Sequence, residues 1–204
     1  MTPDELKPVL RDVHAYWFGT LGGPDDLPRD RMEIWFKQSD ATDDEIRDRF
    51  GRFIAPAAEA PFDLATLTRE EAVGLVVLLD QFPRNIFRAS GESFAYDARA
   101  REIATELIGL GPRRYFHIER VFIALPFEHS ESLDDQDYSV LIFAELAVSA
   151  APSLKTYCQD TLDFATKHRD LIRRFGRFPH RNALLGRTST PEEAAFLAEH
   201  GRGY

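Results

Sequence analysis

A chain of 204 residues, 44% hydrophobic and 29% charged, has the composition of an ordinary globular protein and enough length to bury a core without staples. Its formal charge of −9 argues against a general nucleic-acid binder, which would offer phosphates a basic field. A single cysteine, Cys158, excludes an intramolecular disulfide and a cysteine-based zinc site, and suits a reducing compartment.

The N-terminal stretch MTPDELKPVL has neither a basic n-region nor a long apolar run, so no secretory leader is expected. A capping box of Thr2 and Glu5, with Pro3 at the first helical position, opens a helix over 3–18 that Gly19 stops. TLGGPDDL at 20–27 reads as a loop, followed by a helix over 28–38. Thr42 with Glu45 opens a helix over 43–58, which makes DATDDE at 40–45 a solvated helix start.

Thr68 with Glu71 opens the next helix, over 69–82, and Leu75, Leu78, Leu79 and Phe82 give it one apolar face. Its run AVGLVVLL is too short to cross a bilayer, so a cytoplasmic protein with no membrane partner is expected. Helices over 93–110 and 113–127 follow, divided by Gly111 and Pro112, and the second carries the stripe Ile118, Val121, Phe122, Leu125. Further helices are expected over 136–150, 153–175, 180–186 and 191–200. In the long one, Phe164, His168, Leu171, Ile172 and Phe175 form an inward stripe that ends at Gly176. Thr190, Pro191 and Glu193 open the last, and Gly201 closes it. No stretch alternates with a period of two. The expectation is an all-α fold of roughly nine to ten helices in antiparallel hairpins, forming one domain over 1–204.

Two stretches stand out: DQFPRN at 80–85 and GRFPHRN at 176–182. Each places Phe-Pro at the foot of an apolar run and follows it with arginine and asparagine. Pro83 and Pro179 end or restart helices, and the new N-termini offer free amides that suit an anion. Arg84, Asn85, Arg181 and Asn182, with His180, Arg177 and Arg187 close by, supply the forked donors that carboxylates and phosphates accept. The structural alternative is that these residues cap helix ends and pair with acids such as Asp80.

LPFEHSESLDDQDYS at 125–139 holds a second cluster, in which Glu128, His129 and Glu131 are candidate acid–base groups at a Pro-broken helix end. No metal motif is present and no cofactor is implied, and Ser130 reads as a structural hydroxyl. His168 reads as a core histidine whose functional alternative is contact with the Glu128–Glu131 cluster.

WFG at 17–19, LLDQFPRNIFR at 78–88, FAYDARAR at 94–101, HSESLDDQ at 129–136 and the string at 173–197 together resemble a bacterial family catalogued as domain of unknown function 924. The resemblance implies an all-α fold similar to tetratricopeptide-repeat assemblies, and it implies no particular activity. The matching signature is mostly polar: Asp80, Gln81, Arg84, Asn85, His129, Glu131, His168, Arg177, His180, Arg181, Asn182 and Arg187. A consensus tetratricopeptide period is absent, so a concave peptide groove is analogy alone.

Three readings stay open at this point. The first is a binding protein for a small anion or an acidic peptide end. The second is a hydrolase-type enzyme using the Glu/His cluster, with or without a metal. The third is a purely structural polar network. They part on geometry: the first two require Arg84, Arg181, His129 and His180 to meet in one cavity.

Overall fold

The computed structural model describes residues 1–201, and every regular element among them is helical. In chain order the α-helices are α1 (Pro3–Phe18), α2 (Met32–Phe36), α3 (Asp40–Phe50), α4 (Ile54–Glu59), α5 (Arg69–Asp80), α6 (Phe82–Ile86) and α7 (Asp97–Gly109). Then come α8 (His117–Glu128), α9 (Leu133–Ser149), α10 (Lys155–Phe175) and α11 (Pro191–His200). No helix of the described residues is long and apolar enough to cross a membrane.

Local chemistry sets most of the boundaries. The boxes of Thr2 with Glu5, Thr68 with Glu71 and Thr190 with Glu193 all close, each satisfying two orphan amides. The box expected at Thr42 does not form. Ser39 lies upstream in extended backbone and its hydroxyl accepts from the Thr42 amide at 3.3 Å, so α3 starts three residues before the sequence pattern suggests. That shift places Asp43 in the interior rather than on a solvated helix start. The helix expected over 43–58 is broken by a 3₁₀ turn at Gly51–Phe53, and that over 180–186 shrinks to one turn, Pro179–Arg181. Pro126 sits inside the last turn of α8 without breaking it. The α8 end is instead fixed by the Gln136 side-chain amide, which donates to the carbonyls of Glu128 at 2.6 Å and Ser130 at 2.7 Å.

Helix α1 packs on α5, α5 on α7 and α8, α8 on α9, and α9 on α10. The short connections between α8, α9 and α10 make these consecutive helices hairpins. One aromatic-rich core runs through α1, α5 and α8. Phe82 meets Phe50 at 5.2 Å and Trp17 at 5.6 Å, and Phe18 meets Phe122 at 5.1 Å. Gly74 lets α1 and α5 approach, because a Cβ there would lie 2.1 Å from the Leu10 carbonyl oxygen. A second, small core of Leu171, Ile172, Phe178 and Phe196 holds the C-terminal turns. Phe164, expected on the inward stripe of α10, is 47% exposed, whereas Leu171 and Ile172 are buried.

Candidate functional site

The first Phe-Pro turn arises where α5 stops at Asp80 and α6 restarts with Pro83 at its second position, so the missing proline amide disrupts no hydrogen bond. Phe82 is the wedge into the main core. Arg84 then reaches back to the Asp80 carbonyl and across to Asp97 on α7, at 2.9 and 3.0 Å. The second turn follows the left-handed Gly176 cap of α10, and Phe178 is its fully buried wedge. Around the Phe178 ring stand His168 at 5.5 Å, His180 at 5.4 Å and the Arg181 guanidinium at 4.6 Å.

The two turns meet. Arg84, Arg181, His129, His168 and His180 line one cavity of about 480 Å³ together with Arg88, and no carboxylate-bearing residue is among its lining. Phe94, from the turn before α7, is the shared platform, with Arg181 at 4.4 Å and Arg84 at 6.0 Å from its ring centre.

The three arginines differ in how far their donors are used. Arg84 is held by Asp80 and Asp97, whose charges outweigh the effect of burial and raise its pKa. Arg88 is clamped by Asp43, which also accepts from Asn85 Nδ2 at 2.8 Å. The Arg181 side chain is only 9% exposed, its nearest carboxylate oxygen is on Asp97 at 3.7 Å, and its Nε is buried without a hydrogen-bond partner. Burial, followed by the proximity of Arg84, pushes its pKa down to about 10. Arg181 is therefore a buried cation facing a cavity with most of its forked donors unused.

The histidines are graded in the same way. Asp80, fully buried, accepts from His129 Nδ1 at 2.8 Å and from the Gln81 amide at 2.6 Å. Burial alone would raise the Asp80 carboxyl, but Arg84 and His129 hold it well below the usual carboxylate range. That bond orients His129 by its Nδ1 nitrogen and leaves Nε2 available. His168 Nδ1 lies 3.0 Å from Glu128 and 2.9 Å from the Phe164 carbonyl. Burial works against its charged form, yet the Glu128 contact prevails and its pKa is raised. His180 is pushed down to about 4 by burial, then by Arg181 and His168, and is neutral at pH 7.

The remaining candidates lie elsewhere. Asn85 belongs to the buried Asp43 group. Arg177 grips Glu193 with two bonds of 2.6 and 2.8 Å, and Asn182 donates to the same carboxylate at 3.2 Å. Arg187 grips Glu131 at 2.6 and 2.9 Å, and Glu131 also accepts the Phe178 amide at 2.8 Å. Glu131 thus fixes the second turn from outside the cavity. Ser130 donates to Asp135 at 2.6 Å and accepts from the Ser132 amide at 3.1 Å, a structural role. Among the described residues no group of three or more His, Cys, Asp or Glu side chains is arranged to hold a metal ion. Sequence reasoning passed over Phe94 and Asp97, although both lie in the FAYDARAR stretch. Their signal was an aromatic and an acid three residues apart, at the start of a helix.

The fold and this geometry define an all-helical protein with a cation-lined cavity at the junction of two Phe-Pro turns. The chain belongs to the family described as bacterial protein of unknown function (DUF924), whose model matches residues 13–201. It is similar to the solved structure of a protein of unknown function from Agrobacterium tumefaciens, at 33% identity and a TM-score of 0.77. That likeness covers 95% of this chain and 99% of the other. No curated protein matches.

Proposed function

We propose that this protein binds a small anion, or the anionic end of a larger small molecule, in the cavity between the two Phe-Pro turns. The observation that carries the reading is Arg181. Its guanidinium is nine-tenths buried at a cavity lined by three arginines and three histidines, with no carboxylate in hydrogen-bond reach. A buried cation left in that state is costly, and an anion arriving from the cavity satisfies its donors in a bidentate fork. Arg84 and Arg88, neutralised by their own acids, contribute positioned donors rather than net charge.

A thermal-shift titration with phosphate, sulfate and acetate tests the reading, using wild type and Arg181→Gln. Stabilisation of wild type that saturates, with the variant unresponsive, is the expected result. Equal stabilisation of both proteins would assign the effect to surface charge and sink the proposal.

One observation favours a second reading, that of an enzyme. The buried Asp80 carboxylate orients His129 in the manner of a general base, and His129 lines the cavity. The Ser93 hydroxyl, also in the lining, is engaged with the carbonyls of Phe87 and Ser90, so water is the nucleophile this reading requires. Turnover of small esters or phosphate monoesters that vanishes in His129→Gln would establish it. Binding without turnover across such a set would leave the binding reading alone.

A further inference from the structure

The cation-lined cavity has an apolar neighbour. A second cavity, of about 280 Å³, is walled by aromatic side chains, among them Trp35, Phe36, Phe122, Tyr157 and Phe164. His129 and His168 line both cavities, so the two share a wall of imidazoles. The acid in the apolar cavity, Glu128, is engaged by His168 at 3.0 Å. At its rim, Phe36 is 65% and Phe164 47% exposed, an arrangement that leaves two aromatic rings in water.

Resting on the anion-binding reading above, we infer that the two cavities are halves of one site for an amphiphilic acid, its anionic head on Arg181 and its apolar body among the aromatic rings. Charge complementarity fixes the head, since the first cavity is lined by three arginines and no acid, whereas the second has no arginine or lysine in its lining and holds Glu128. The ring-rich wall and the exposed Phe36 and Phe164 fix the body, for which a ligand carrying its own aromatic ring is best matched. The volumes of both cavities suit a small molecule rather than a folded partner. At the shared wall, His129 and His168 stand where head joins body. His168 is held there by Glu128 at 3.0 Å, a contact that raises its pKa.

Isothermal titration with a matched series tests this: 3-phenylpropanoate, propanoate, 3-phenylpropanol and inorganic phosphate, followed in parallel by tryptophan fluorescence because Trp35 lines the apolar half. Phenylpropanoate should bind at least about tenfold more tightly than either propanoate or the alcohol. Phe164→Ser, an exposed position safe for folding, should weaken phenylpropanoate by about tenfold and leave phosphate unchanged. Arg181→Gln should weaken both. If phosphate binds but phenylpropanoate is no tighter than propanoate, the anion reading stands and the composite site is overturned. If the alcohol binds as tightly as the acid, the apolar half acts alone and the inference again fails. If no anion binds wild type, the underlying reading falls with it. A dimer that Phe164→Ser dissociates would assign the aromatic rim to a second copy, also against the inference.

Discussion

Arg84 and Arg181, far apart in the chain, converge on one carboxylate and one ring: Asp97, at 2.9 and 3.7 Å, and Phe94, at 6.0 and 4.4 Å. The relationship is asymmetric. Arg84 is saturated by Asp80 and Asp97, so the first turn serves as a fixed wall. Arg181 stands farther from Asp97 and its Nε has no hydrogen-bond partner, so the second turn carries the less fully paired charge. The repeated Phe-Pro-Arg-Asn pattern thus builds two sides of one cavity with unequal tasks.

This asymmetry predicts opposite outcomes for the two arginines. Arg181→Met should leave the ligand-free protein unchanged or about 1 kcal/mol more stable, because an underpaired buried charge is replaced by packing, while anion stabilisation disappears. Arg84→Met should destabilise by about 3 kcal/mol, since it strands Asp80 and Asp97 in the interior. Urea denaturation with and without sulfate reads both. Destabilisation of the same size in the two variants would show that Arg181 is structural.

Glu193 is the keystone of the C-terminal turns, receiving Arg177, Asn182 and the Thr190 amide at 2.7 Å. These partners, Arg177 foremost, hold its carboxyl down at about 2. Glu193→Ala should cost about 2–4 kcal/mol and make the segment after Gly176 the first site of limited proteolysis. Retention of wild-type protease resistance would contradict that role.

Much of this was legible in the sequence and some was not. Capping boxes at Thr2, Thr68 and Thr190 are local chemistry, so their helices were readable to within a residue or two. Ser39 takes the N-cap in place of Thr42, and the helix begun there carries Asp43 inward to Arg88, a contact distant in sequence that the local pattern does not show. Arg84, Arg181, His129, His168 and His180 were readable as candidates, since polar residues at a Phe-Pro break exceed what helix punctuation requires. Their convergence was not, because it depends on how α5, α7 and α10 cross. Asn85, Arg177, Asn182 and Arg187 carry the same sequence signal, but they are taken up by acids outside the cavity lining, Asp43 for Asn85, Glu193 for Arg177 and Asn182, and Glu131 for Arg187. Phe164 obeys the helical period and is nevertheless exposed, because no neighbour covers that end of the stripe.

Gly74 and Gly109 separate two kinds of helical glycine. At Gly74 a methyl group collides with the Leu10 carbonyl, and Gly74→Ala should cost about 3 kcal/mol as α1 and α5 are forced apart. At Gly109 nothing lies within 4 Å, and Gly109→Ala should gain about 0.5 kcal/mol from helix propensity. Thermal melts that ranked the two alike would contradict the close α1–α5 packing.

His180 gives the molecule a pH signature. Its folded pKa of about 4 lies below the ordinary 6.5, so between those values the unfolded chain binds more protons than the native one. Stability should therefore fall as pH drops through that window, and His180→Asn should flatten the fall. The groups acting on it are Arg181, His168 and Arg187, which disfavour its charge, and Glu131, which favours it. An anion beside Arg181 reverses that balance, so wild-type affinity for sulfate should rise as pH falls toward 4, and the rise should be absent in the variant. A sulfate affinity that is independent of pH would place the anion away from His180.

The central claim is that Arg181 awaits an anion, and anomalous diffraction from crystals grown in selenate tests it most directly. The predicted result is a selenium peak in the cavity, with selenate oxygens about 3 Å from the Arg181 guanidinium nitrogens. Selenate ordered on surface arginines, with none at Arg181 under saturating conditions, would contradict the account.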